Sequence, residues 1–221
     1  MVAGAARMIS RRGVDAMSLR ELAEQEGVPL GSTYHHFPGG KAELVDAAVN
    51  RVGERVAASI AETRGRGAEH IVRWVLHAWR RILIKSDFAA GCPVLAAAVA
   101  KDERHRDTAR AVFARWTAGL IEVLVDDGVP VDRAPSVART IIASLEGAVG
   151  LARAFGQIGP LDDVQDELIR LVSAAAGEPA APVADERADR RADQWSGERP
   201  GERPDEPATP GPRRSSPAPR S

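Results

Sequence analysis

The stretch Ser18–Lys41, SLRELAEQEGVPLGSTYHHFPGGK, decides how the chain is read. Ser18 followed three residues later by Glu21 matches a capping box, in which the serine oxygen accepts from the third helical amide and the glutamate reaches back. Met17 and Leu22 take the two positions of a hydrophobic staple around that turn. Leu19, Leu22 and Ala23 give the inner face of a helix that starts at Ser18 and stops at Gly27, with Ala23 small where a partner helix crosses. A second short helix runs from about Leu30 to Phe37, and Pro38-Gly39-Gly40 ends it. Two short amphipathic helices joined by a glycine turn form a helix-turn-helix pattern.

On DNA such a pair works by holding the second helix rigidly against the first, so that one face enters the major groove. Leu19, Leu22, Ala23, Val28 and Phe37 supply the rigid inner face. The outer face offers Leu30, Ser32, Thr33 and His35. Hydroxyls exchange hydrogen bonds with base edges, and apolar groups meet a thymine methyl. Tyr34, His36 and Lys41 suit phosphates, and Lys41 stands at the start of the next helix, where free amides add a second phosphate-binding element. Charge does not decide the matter. Residues 1–40 balance Arg7, Arg11, Arg12 and Arg20 against Asp15, Glu21, Glu24 and Glu26, whereas strong nonspecific binding favours a basic face.

Outward from this stretch the apolar period stays close to that of a helix, and strand-type alternation is scarce. The fold class is all-α, with about nine helices. The first runs from Ala3 to Arg12, with Gly13 just past its end. Later helices span Lys41–Ala61, Ala68–Lys85, a short alanine-rich helix beginning around Pro93, Glu103–Val125, Pro135–Phe155 and Leu161–Ala175. Pro29, Pro38, Pro93, Pro130, Pro135 and Pro160 fall mostly where segments start or stop. In the eighth helix, residues from Ile141 to Phe155 are apolar on more than one face. Leu145, Val149 and Ala152, with Leu168 of the ninth, are candidate dimerisation residues, and burial under neighbouring helices is the alternative. Gly147 and Gly150 each cost a helix interior about 1 kcal/mol, which points to close helix–helix contact. Trp74, Trp79, Phe88, Phe113, Trp116 and Phe155 are candidate walls of a ligand pocket, or ordinary core aromatics. His77, His105 and Arg153 are candidate polar groups within it.

The 221 residues carry a net charge of -1 and are 44% hydrophobic but only 4% aromatic, so the core is mainly aliphatic. Cys92 is the single cysteine, which excludes a disulfide scaffold. Beside Pro93 it reads as a small buried residue, with oxidant sensing as the other reading. The histidines lack zinc-site spacing, and we expect no metal and no cofactor. HExxH, P-loop, dinucleotide and G-x-S-x-G signatures are missing, so we expect no enzyme and no catalytic residue. No run is long and apolar enough to span a membrane, and the first residues do not resemble an export signal, so a soluble cytoplasmic protein is expected. From Gly177 the remaining prolines and mixed charges crowd together with few aliphatics. Residues 177–221 read as a disordered tail, and Trp195 is its only aromatic, by chance or as a docking motif.

Gly13, Ser18, Leu22-Ala23, Gly27-Val28 and Tyr34-His35-His36-Phe37 are the residues on which the sequence resembles the TetR family of bacterial transcriptional regulators, over about residues 3–175. Phe37-Pro38-Gly39-Gly40-Lys41 and Gly91-Cys92-Pro93-Val94 look like its LmrA/YxaF-type subgroup. The resemblance implies a homodimer with a DNA-binding head at residues 1–45 and a helical effector-binding and dimerisation body at 46–176. It implies a repressor on a palindromic double-stranded operator, released by a small apolar or aromatic effector. By the same resemblance Tyr34 and Lys41 would hold phosphates, while Leu30, Ser32, Thr33 and His35 would face bases or sugars, and the last two helices would pair the subunits. The sequence departs from the family in three places. Pro29 replaces a Ser or Thr cap, one extra glycine precedes Lys41, and the basic arm before helix one is either lacking or encoded upstream. The competing function is a helical dimeric protein-interaction module that has lost DNA binding.

Overall fold

Residues 1–177, which the computed structural model describes, are helices and turns; each of the nine helices among them begins within about two residues of the start read from the sequence, and every end that was read, for all but the sixth, agrees as closely. The head is α1 (Val2–Arg12), α2 (Leu19–Gln25) and α3 (Leu30–His36). The body adds α4 (Gly40–Glu62), α5 (Ala68–Lys85), α6 (Pro93–Ala98), α7 (Glu103–Asp126), α8 (Ala134–Phe155) and α9 (Gly159–Ala175). The tail expectation and Trp195 lie outside the described residues.

Capping at α2 is half of the expected box. Ser18 Oγ accepts from the Glu21 amide at 3.4 Å, but the Glu21 carboxylate turns outward to Arg12 at 2.6 Å and Gln25 at 3.2 Å. A guanidinium on α1 outcompetes the Ser18 amide for it. Met17 and Leu22 are both buried, as a staple requires. Head and body belong to one compact unit, because α4 begins against α1 and continues along α7. Gly53 permits that second contact. A Cβ there would lie 2.7 Å from Val112 of α7, and the Gly53 carbonyl accepts from Trp116 Nε1 at 2.9 Å. Asp46 of α4 adds a polar clamp, receiving Arg104, Thr108 and the ring of buried His105 from α7. Asp127, at the end of α7, accepts from the Ala68 amide at 2.7 Å and so caps α5.

The core is aliphatic, with Leu44, Val45, Leu76, Leu83, Val112, Leu124 and Leu161 fully buried. It also absorbs the dimerisation candidates. Val149 is 2% exposed, Ala152 0% and Leu168 3%, and Leu145 is half-buried in a cavity wall. Val149, Ala152 and Leu168 therefore pack within their own protomer, and Leu145 lines its cavity. The reason is helical phase. Residues two apart differ by about 200° around the axis, so the line Leu145–Val149–Ala152 points opposite to Ala143, Gly147, Gly150 and Ala154. Those four are exposed, as is Leu151 at 50%. Gly147 and Gly150 face open space within the chain.

Candidate functional site

In α3, six of seven side-chain positions point outward. Leu30, Gly31, Ser32, Tyr34, His35 and His36 are exposed. Thr33 is 2% exposed and its Oγ1 has no hydrogen-bond partner among the described residues. Thr33 is thus the anchor of α3 and not part of its outer face. In a seven-residue helix one position must face the helix it packs on, and Thr33 sits midway between Leu30 and His36, where that side falls. Pro29 offers no side-chain cap, as its missing hydroxyl implies, and the amides of Ser32 and Thr33 instead donate to its carbonyl at 3.0 and 3.3 Å.

The extra glycine before Lys41 has a structural role. Gly40 adopts φ +64°, a left-handed turn costly to other residues, and donates to the Phe37 carbonyl at 2.8 Å. It is buried, and a Cβ on it would stand 3.6 Å from the Tyr34 ring. The Gly39 amide is held by Glu43 Oε2 at 2.8 Å, so this helix start carries its own carboxylate. Lys41 Nζ donates to the Asp15 carbonyl at 2.9 Å, fastening α4 to the α1–α2 turn with donors to spare. Arg7, Arg12 and Arg20 each pair with a glutamate of α2 or its end: Glu26, Glu21 and Glu24. These exposed pairs add little stability.

A second site lies deeper. A cavity of about 620 Å³ lies between α1, α4, α5, α7 and α8, with Gly91-Cys92-Pro93 at one side. Trp74, Trp79 and Trp116 line it as the sequence suggested. Phe88, Phe113 and Phe155 do not. Phe88 sits at φ +55° in the turn that closes α5, Phe113 stacks edge-on against Trp116 from behind the wall, and Phe155 is 53% exposed near the end of α8. The polar candidates His77, His105 and Arg153 also lie off the lining. His105 is taken by Asp46, and Arg153 reaches the Arg11 carbonyl at 3.5 Å.

The polar groups that do line the cavity include Arg7, Ser10, Arg51, Arg55, Ser59 and Glu146. Glu146 was missed from the sequence, although a lone acid within the apolar run Ile141–Ala152, one turn after Ile142, was a legible signal. Its side chain is 8% exposed and Oε2 has no hydrogen-bond partner among the described residues. Burial pushes its carboxyl up to about 7, and a hydrogen bond with Cys92 partly opposes the rise. Burial, then the Glu146 charge, pushes the Cys92 thiol well above its ordinary range, which argues against a reactive thiolate. The cavity also touches the head directly. Ala3, Ala6, Arg7 and Ser10 of α1 form part of its wall, and Gly91 donates to the Ser10 carbonyl at 2.8 Å.

Among known proteins, the model described as bacterial regulatory proteins, tetR family, matches residues 2–48. The model described as transcriptional regulator LmrA/YxaF-like, C-terminal domain, matches residues 68–167. The uncharacterized HTH-type transcriptional regulator Rv0196 of Mycobacterium tuberculosis is 39% identical over 186 residues, covering 80% of this chain and 95% of its own length. The chain belongs to the TetR family. Its likeness to the LmrA/YxaF subgroup extends to the HTH-type transcriptional regulator LmrA of Bacillus subtilis, 29% identical over 73% of this chain and 88% of that protein. A TetR regulator from Legionella pneumophila shares the fold with a TM-score of 0.69 at 22% identity, covering 77% of this chain and 94% of that one. As a TetR-family member the chain is a DNA-binding transcriptional regulator that works as a homodimer. Among the described residues, no helix is long and apolar enough to cross a membrane.

Proposed function

We propose that this TetR-family chain is a repressor that sits on a palindromic operator as a homodimer and leaves it when a small, largely apolar molecule fills the cavity. The observation that carries this reading is the shared wall. One cavity is bounded by α1, a helix of the head, by α4, the helix that follows α3 in the chain, and by α5, α7 and α8 of the body. A ligand that fits only one arrangement of those helices shifts the population of head positions by its differential affinity.

On the DNA side, Ser32 and His35 of α3 read base edges, Leu30 meets a thymine methyl or sugar, and Tyr34, His36 and Lys41 hold phosphates. Exposure of the first five supports these roles, and Lys41 keeps donors beyond the one given to Asp15. Between subunits, the outer line of α8, Ala143, Gly147, Gly150, Leu151 and Ala154, packs against its copy. Two glycines open to solvent on that line let backbones approach closely.

Selection of bound duplexes from a random pool tests the reading. The expected result is an inverted repeat with two protomers per duplex. Enrichment of no sequence, or of a single half-site bound by one protomer, contradicts it.

A further inference from the structure

Glu146 is a carboxylate in a hydrocarbon wall. Its Oε2 is buried with no donor among the described residues, in a cavity large enough for a ligand of ordinary organic size. An acceptor left without a donor in such surroundings is costly. The ionisable groups facing the same space are few. Cys92, from the turn before α6, bonds Glu146. Arg7 of α1 and Arg51 and Arg55 of α4 line the cavity as exposed side chains at its outer edge. The parts of the wall made by α5 and α7 carry tryptophans and aliphatics and no ionisable group.

We infer that Glu146 sets the specificity of this cavity: its ligand is an apolar molecule with a hydrogen-bond donor, an ammonium or a hydroxyl, that meets the Glu146 carboxylate. The hydrocarbon part lies against Trp79, Val75 and Ile142. This inference rests on the cavity being the effector site, and it adds which chemistry that site selects. A ligand whose polar group only accepts, such as a carboxylate, meets an unsatisfied acceptor and is rejected.

The test uses four matched probes on the full chain at pH 8: 4-phenylbutylamine, 4-phenylbutan-1-ol, 4-phenylbutyrate and butylbenzene. Tryptophan emission reports occupancy, since Trp74, Trp79 and Trp116 line the cavity, and calorimetry gives the affinities. The amine and the alcohol should outbind butylbenzene by about tenfold or more, the worth of a hydrogen bond to a charged group. In Glu146→Leu, which keeps volume and removes the acceptor, that preference should vanish while butylbenzene binds as well or better. The amine's lead over the alcohol should widen from pH 6 to pH 8 as the carboxyl ionises. Equal binding of all four probes, or a donor preference that survives Glu146→Leu, overturns the assignment of Glu146 while leaving the cavity a binding site. No binding by butylbenzene or any other probe overturns the effector-site reading and this inference with it.

Discussion

Helix α3 and helix α8 both carry function, and they distribute it in opposite ways. In α3 the outward residues make the proposed DNA-reading face, and a single inward residue, Thr33, holds them in place. In α8 three tasks share one rod. Val149 and Ala152 fill the core, Leu145 and Glu146 line the cavity, and Ala143, Gly147, Gly150 and Leu151 face outward. A short helix with one exposed face can be read from its own residues. A long helix wrapped by apolar residues cannot, because each face is defined by what other helices bring to it.

The largest test of that contrast is a pair of substitutions on α8. Val149→Glu places a charge in the core and should cost the fold about 4 kcal/mol or more, seen as a collapse of the thermal midpoint. Gly147→Glu should leave the midpoint of the isolated protomer nearly unchanged and convert dimer to monomer in the ultracentrifuge. If Val149→Glu instead yields a stable monomer, the inner and outer faces have been exchanged.

Next in size is the effect of the buried acid. The ordinary carboxyl value is 4.5, and burial raises Glu146 to about 7. Below the first value the group is protonated in both folded and unfolded chains, so it makes no difference. Between the two values only the unfolded chain ionises freely, so folding loses stability as pH rises, and above about 7 the loss is constant. The full loss is on the order of 3 kcal/mol. Comparing denaturant unfolding of the wild type and Glu146→Gln across this window isolates it. The wild type should fall relative to the variant, and parallel curves would remove the buried-acid argument.

Smaller effects sharpen the reading of α3. Tyr34→Ala should weaken operator binding by about 1–2 kcal/mol, the scale of one charge-assisted contact, with the thermal midpoint kept. A matching loss of stability would mean that the ring supports Gly40 more than it touches DNA. Thr33→Val removes an unsatisfied buried hydroxyl at nearly constant shape, so stability should hold or rise by about 1 kcal/mol.

The sequence carried the helices well because capping residues, prolines and the apolar period are local signals. Ser18 marks the start of α2, and Pro93 marks that of α6. The outward face of α3 was legible except at Thr33, whose small polar side chain suits either face; only the packing of α3 on α2 turns it inward. The cavity was half legible. The three tryptophans belong to it, but Phe88, Phe113 and Phe155 are apolar for other reasons, and aromaticity alone does not tell a wall from a core. Glu146, Arg51 and Arg55 come together from helices about a hundred residues apart in sequence, and no spacing rule spans that distance. The dimerisation candidates of α8 turn inward by phase: the sequence shows that α8 has two apolar faces without showing which one its own protomer uses.

The central claim is that the outer side of α3 reads DNA while Thr33 only anchors it. Operator affinity of Ser32→Ala/His35→Ala set beside Thr33→Val, on the duplex selected by the wild type, tests it most directly. The double variant should lose most of its sequence preference, and Thr33→Val should keep wild-type affinity. Strong binding by the double variant, together with loss of binding in Thr33→Val at unchanged stability, would contradict it.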